Sequence, residues 1–149
     1  MTNRKRILTL MMCILCISTI YAQSDSLNIR MIGAALNNYN NCIEYDDGIL
    51  YMGVGLSFVT RDVNDITDHV ILDSCTSVMS IFHDIDIVRD IDGRDIAVTA
   101  NSADGINIFD VTDPSDIFEL SHHSTLGYPM EVEIYKNYVF FSSRYSGIE

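Results

Sequence analysis

Asp62-Val63-Asn64-Asp65-Ile66-Thr67-Asp68 lies over Asp110-Val111-Thr112-Asp113-Pro114-Ser115-Asp116, at an offset of 48 residues (110 against 62). This internal repetition constrains the fold more than any single residue does. A second match sets Asp84-Ile85-Asp86-Ile87 over Glu131-Val132-Glu133-Ile134, at an offset of 47 (131 against 84). Ile96-Ala97-Val98-Thr99 matches Tyr138-Val139-Phe140-Phe141, with Ile49 to Met52 as a third copy, and Asp104-Gly105-Ile106 matches Ser146-Gly147-Ile148. A unit of roughly 45 residues therefore recurs about two and a half times, which points to a repeat architecture.

The stretch Gly105 to Leu120 shows what the unit is made of. Gly105 suits the positive φ of a hairpin turn. Ile106 to Val111 is rich in β-branched and aromatic residues, so it predicts a strand. Its two parities are both largely apolar, as expected of a strand covered on both faces. Asp113-Pro114 ends it, because Asp suits the first position of a type I turn and proline fixes φ at the second. Ile117 to Leu120 resumes as the next strand.

Further strands are expected at Leu27–Gly33, Asn41–Tyr45, Ile49–Met52, Leu56–Thr60 and Val70–Leu72. The alternating acid and aliphatic residues of Asp84–Ile87 and Glu131–Ile134 predict strands with one buried and one polar face. Asp46-Asp47-Gly48 and Gly53-Val54-Gly55 read as turns, and Arg89 to Asp95 as a longer connection. No long amphipathic helix is expected between the copies. The fold class is all-β, with four short antiparallel strands per unit, the pattern of β-propeller blades.

Residues 1–22 read as a signal peptide: Arg4, Lys5 and Arg6 precede an apolar run, Ile7 to Ile20, with cleavage expected near Ala22. The run is short for a membrane span. A retained anchor is the alternative, and Cys13 and Cys16 lack the small preceding residue of a lipidated cysteine. Cleavage removes three of nine basic residues and none of the 21 acidic ones, leaving residues 23–149 near −15 (6 against 21). That charge argues against nucleic acid and anionic membrane surfaces as partners. It fits an exported, soluble chain or one that binds cations.

The strand, glycine turn and strand of Asn137 to Ile148, together with Gly105 to Pro114, resemble the LVIVD repeat. In that family a strand, a glycine turn, a strand and a Ser/Thr-Asp-Pro turn recur once per propeller blade. The resemblance extends over roughly Leu27 to Glu149, with Ile66 in place of the proline in the earlier copy. It implies an exported, often cell-surface, multi-bladed propeller, and it carries no catalytic residues. A propeller closes with four to eight blades, so residues 23–149 are expected to be a partial propeller whose remaining blades lie in a C-terminal continuation. Self-assembly of partial propellers is the alternative.

The candidate chemistry is sparse. Asp90, Asp92 and Asp95 around Gly93 could converge on Ca²⁺, and the loop resembles the calcium loops of FG-GAP propellers; a solvated acidic turn is the plainer reading. His122 and His123, adjacent on a strand, point to opposite faces and would not share one ion. Ser121, His122 and Ser124 with nearby aspartates could supply a hydrolase triad only by composition, since no G-x-S-x-G elbow is present. Tyr138, Phe140 and Phe141 read as packing aromatics. Cys42 and Cys75 could form a disulfide in an oxidising compartment; otherwise Cys42 is a buried small hydrophobe and Cys75 a loop thiol. No catalytic, cofactor-binding or metal residue is assigned. The expected role is a binding scaffold for a protein or carbohydrate ligand, secreted, periplasmic or on the cell surface. The rivals are an enzyme with its site in the completed channel and a Ca²⁺-dependent adhesion propeller.

Overall fold

The computed structural model describes residues 40–65, 67–76 and 79–148. The leader at residues 1–22 and the strand expected at Leu27–Gly33 lie outside the described residues. Eleven strands follow in order: β1 Asn40–Asp46, β2 Ile49–Val54, β3 Ser57–Asp62, β4 Val70–Cys75, β5 Phe82–Ile91, β6 Arg94–Asn101, β7 Gly105–Asp110, β8 Phe118–His123, β9 Pro129–Tyr135, β10 Tyr138–Ser143 and β11 Gly147–Ile148. There is no helix among the described residues. The described residues are all-β.

The strands form three antiparallel sheets in which every neighbour in space is the neighbour in sequence. Sheet 1 is β1-β2-β3-β4, sheet 2 is β5-β6-β7-β8, and sheet 3 is β9-β10-β11. Such meanders need only tight turns, and the sequence supplies them. Asp113 accepts from the Ser115 amide through its carboxylate (2.9 Å) and from the Asp116 amide through its carbonyl (3.0 Å). Asp65 does the same with the amides of Thr67 (2.9 Å) and Asp68 (3.0 Å). Aspartate alone therefore builds this turn, and proline is not required. Asp62 and Asp110, just upstream, likewise accept from the amides of Asn64 (2.8 Å) and Thr112 (3.0 Å). The repeat seen in the letters is a repeat in hydrogen bonds.

The two parities of β6 and β7 explain the packing. Ala97, Phe109 and the following Val111 join Tyr51 and Phe58 of sheet 1, with Phe82, Ile85 and Ile117, in one apolar cluster. Val98, Ala100 and Ile106 join Val132 and Phe141 of sheet 3 in a second. Sheet 2 is thus covered on both faces, as the apolar parities of Ile106–Val111 predict. Phe58 is the centre of the first cluster, stacked on Phe109 with ring centroids 4.6 Å apart and near Tyr51 and Phe82 at 6.2 and 6.3 Å. Aromatic stacking adds to simple area burial here.

Three expectations are corrected. Gly53 and Val54 are strand, and the turn is Gly55-Leu56. Gly53 is there because Phe82 and the Cys42 sulfur occupy the space a Cβ would need, a close approach that only glycine allows. Arg89–Asp95 is a long hairpin: β5 runs to Ile91, the turn is Asp92-Gly93, and β6 starts at Arg94. A shift of register between Val88 and Ile91 absorbs the extra residues. Cys75 belongs to β4, and both it and Cys42 are free thiols. The paired row Cys42–Gly53–Phe58–Cys75 crosses the whole of sheet 1. Three strand spacings are about 14 Å, twice the Cα separation that a disulfide spans.

Candidate functional site

The first strands of the sheets, β1, β5 and β9, lie side by side, and here the acid–aliphatic alternation acquires a purpose. A strand at a sheet edge has amides with no ladder partner. Asp84 of β5 accepts from the Val132 amide of β9 at 2.9 Å, and Asp86 accepts from the Ile134 amide at 2.5 Å. Asp86 also accepts from the Ile87 amide at 2.8 Å. Sheet 2 therefore holds the leading edge of sheet 3 with two carboxylates, while Val132 and Ile134 turn their side chains into the apolar cluster. Charged acceptors make stronger hydrogen bonds than neutral ones.

Sheets 1 and 2 are joined differently. Arg89 of β5 reaches Asp46 of β1 at 2.6 Å and Asp95 at 2.7 Å. The Thr60 hydroxyl donates to the Pro114 carbonyl at 2.6 Å, and the Ile117 amide donates to Asp73 at 2.9 Å. Glu44 faces Asp84 and Asp86; burial first, then these two charges and Asp46, raise its carboxyl above the ordinary value. Burial likewise pushes the Cys42 thiol up to about 12, so it stays protonated and unreactive.

Beyond Asp84 and the leading edge of β9 lies an open cleft of about 550 Å³. Its walls are His83, Asp84, Met130 to Glu133, Phe140 to Ser142 and Ile148. Three carboxylates, an imidazole and two phenyl rings thus meet where sheet 3 adjoins His83 and Asp84 of sheet 2. Tyr138 and Phe140 correct the packing expectation, being 67% and 46% exposed, whereas Phe141 packs as expected at 9%. Beside the cleft, His83 Nε2 lies 2.5 Å from the Ser102 hydroxyl, a nucleophile–base contact that sequence reasoning missed, since 19 residues separate the pair. Its Nδ1 has no partner among the described hydrogen bonds, so the third, orienting group of a triad is not in place.

The other sequence candidates are dispersed. Both oxygens of Asp95 are spent, one on Arg89 and one on the Asp90 amide (3.0 Å). Asp90 and Asp92 take positive φ values of 57° and 52° in the hairpin. Among the described residues, no three His, Cys, Asp or Glu side chains are grouped to hold a metal ion. His122 turns to Asp104, its Nε2 donating to the Asp104 carbonyl and lying 3.7 Å from the carboxylate; Ser121, His123 and Ser124 are exposed. Within sheet 2, Asn101 Nδ2 donates to Thr99 Oγ1 (2.8 Å) and Asn107 Oδ1 (2.5 Å), and Asn107 donates to Glu119 (3.0 Å). This polar row links β6, β7 and β8 across the sheet, and it leaves Asn101 Oδ1 buried without a partner.

No protein-family profile matches the chain, and no curated protein does. Among solved structures, the chain is similar to the crystal structure of the computationally designed Ika4 protein, at 11% sequence identity, a TM-score of 0.42, and coverage of 80% of this chain and 93% of that one.

Proposed function

We propose that the chain is an exported repeat protein of the LVIVD kind, that its sheets are propeller blades, and that it works as a binding scaffold outside the cell or at its surface. One observation carries this reading. Three meander sheets follow in chain order, the aspartate turn recurs in the first two, the middle sheet is covered on both faces, and the last lines an open cleft of aromatic rings and carboxylates. Concave sites with apolar walls and a few fixed polar groups are the usual form of binding sites. Carboxylates and aromatic faces together suit a ligand that donates hydrogen bonds and offers C–H surface, which describes a carbohydrate or an extended peptide.

Two measurements test the reading. The exported chain should begin at Gln23 by N-terminal sequencing, and binding on a glycan or peptide array should vanish in Phe140→Ser. A chain that is retained in the cytoplasm, or that binds nothing on either array, contradicts it. The contact between His83 and Ser102 supports a hydrolase as the second reading. Labelling of Ser102 by a fluorophosphonate, abolished by His83→Ala, would favour it. Calcium at the Asp90–Asp95 turn would have to displace Arg89 from Asp95. A calcium-induced rise in melting temperature that Asp92→Ala removes would establish that site, and an unchanged response would end the idea.

A further inference from the structure

We infer that one end of the sheets docks on a lipid bilayer surface, with Met79, Ile81, Leu126 and Tyr128 entering the interface. Charge and apolar surface are segregated between the two ends of the strands, and only one end suits lipid. This end face shares no residue with the cleft; only removal of the leader is taken from the scaffold reading.

In a meander, successive connections alternate between the two ends of the strands. One end gathers the connections that follow β1, β3, β5, β7 and β9. They hold Asp47, Asp65, Asp68, Asp92, Asp113 and Asp116 against Lys136 alone, a net charge of −5 (1 against 6) with His69 neutral. The other end gathers the connections 55–56, 76–81, 102–104, 124–128 and 144–146, with one acid, Asp104, and one cation, Arg144. Hydrogen bonds tie these loops together. The Met79 amide donates to the Asp104 carboxylate at 3.1 Å, and the Ala103 amide to the Ser80 hydroxyl at 3.3 Å. In sheet 3 the Arg144 amide donates to the Tyr128 carbonyl at 2.9 Å.

The neutral end is also the apolar one. Its connections expose Leu56, Met79, Ile81, Leu126, Tyr128 and Tyr145, whereas among the described residues the connections of the acidic end expose no large apolar side chain. Leu126 is 99% exposed and Met79 88%, so each stands clear of the fold on the loop that leads into the next sheet. A single exposed leucine needs no explanation, but a group of this size on one end does. The Tyr128 ring meets Tyr145 edge-on at 5.5 Å, and the Arg144 guanidinium lies 5.8 Å over the Tyr145 ring. Tyrosines and a long cationic side chain beside apolar tips are the usual equipment of a membrane interface, where rings and stems sit in the apolar layer and polar ends in the headgroups.

The separation of the ends lets an acidic chain approach a membrane. A strand of six residues is about 20 Å long, more than twice the Debye length of about 8 Å at physiological salt. The field of the aspartate turns is therefore screened at the neutral end. That end suits zwitterionic headgroups, which neither attract nor repel it, and the acidic end is left facing water. Side chains on separate loops enter lipid without needing a matched socket for each, which a protein partner would have to supply. Removing one such apolar side chain from water strengthens partition roughly tenfold.

The test mixes the chain recovered after export, free of its leader, with phosphatidylcholine vesicles at physiological salt. The chain contains no tryptophan, so Leu126→Trp places a single reporter at the neutral end and Ser115→Trp one at the acidic end. Emission from Leu126→Trp should shift to the blue when vesicles are added, and emission from Ser115→Trp should stay unchanged. The wild type should sediment with the vesicles. Met79→Asp with Leu126→Asp should lower its partition at least about tenfold, with an unchanged β circular dichroism spectrum; Leu126→Asp alone serves should the pair fail to fold. A wild type that stays in the supernatant, a blue shift at Ser115→Trp in place of Leu126→Trp, or sedimentation that the aspartates leave unchanged overturns the inference. Array binding without vesicle binding sinks this inference alone; vesicle binding with nothing bound on the arrays sinks the ligand reading alone.

Discussion

The joint between sheets 1 and 2 and the joint between sheets 2 and 3 solve one problem with different chemistry. The first is aromatic, centred on Phe58 stacked against Phe109, with an ion pair from Arg89 to Asp46 at its edge. The second is aliphatic, built from Val98, Ala100, Ile106 and Val132 with Phe141 at its rim, and its edge is held by carboxylates bonded to backbone amides. The difference teaches that a repeat conserves the geometry of a contact more strictly than its chemistry. What recurs is the parity of apolar positions and the need to satisfy strand edges; which residues meet that need varies from joint to joint.

The largest expected effect falls on the aromatic joint. Phe58→Ala should destabilise the fold by about 3–5 kcal/mol in urea denaturation, since it removes a fully buried ring and leaves a cavity among three others. A loss under about 1 kcal/mol would mean that the joint collapses readily and is not aromatic in its energetics. At the aliphatic joint, Asp86→Ala should cost about 1–3 kcal/mol, because it strips the acceptor from the amide of Ile134. If it cost as much as Phe58→Ala, the edge bonds would outweigh the core, and the comparison would be inverted.

The smallest effect concerns charge at the first joint. Glu44 has its carboxyl raised in the fold by burial and by Asp86, Asp84 and Asp46, so the folded state holds the proton more tightly than the unfolded one. Its destabilising contribution is absent below the unfolded value, grows as pH rises through the window between the unfolded and the raised folded value, and is complete above it. Glu44→Gln should therefore stabilise the protein at pH 7, by about 0.5 kcal/mol or less for a group this exposed, and leave stability at pH 3 unchanged. A gain that is equal at both pH values would point to packing in place of charge.

Much of this architecture is legible in the sequence, for a physical reason. Strand alternation and aspartate turns are local, so Asp84–Ile87, Glu131–Ile134 and the turn at Asp113-Pro114 announce themselves. The two-sided burial of Ile106–Val111 is equally local. What escapes is whatever depends on a neighbour distant in the chain. The alternating acids read only as a polar face, whereas Asp84 and Asp86 bond to amides 48 residues away. Arg89 spends Asp95 on an ion pair, which the spacing of the Asp90–Asp95 turn does not disclose. Tyr138 and Phe140 share their pattern with covered strands, so letters alone do not show that their face is open. The contact of His83 with Ser102 comes from the pairing of β5 with β6, and no motif marks it.

The central claim is that carboxylates of one sheet hold the leading edge of the next. Amide hydrogen exchange at Val132 and Ile134 tests it most directly, measured in the wild type and in Asp84→Ala with Asp86→Ala. The account predicts protected amides at both positions in the wild type and rapid exchange at both in the variant, with Val98 in the middle of β6 still protected. Amides at Val132 and Ile134 that stay protected without the two carboxylates would contradict it.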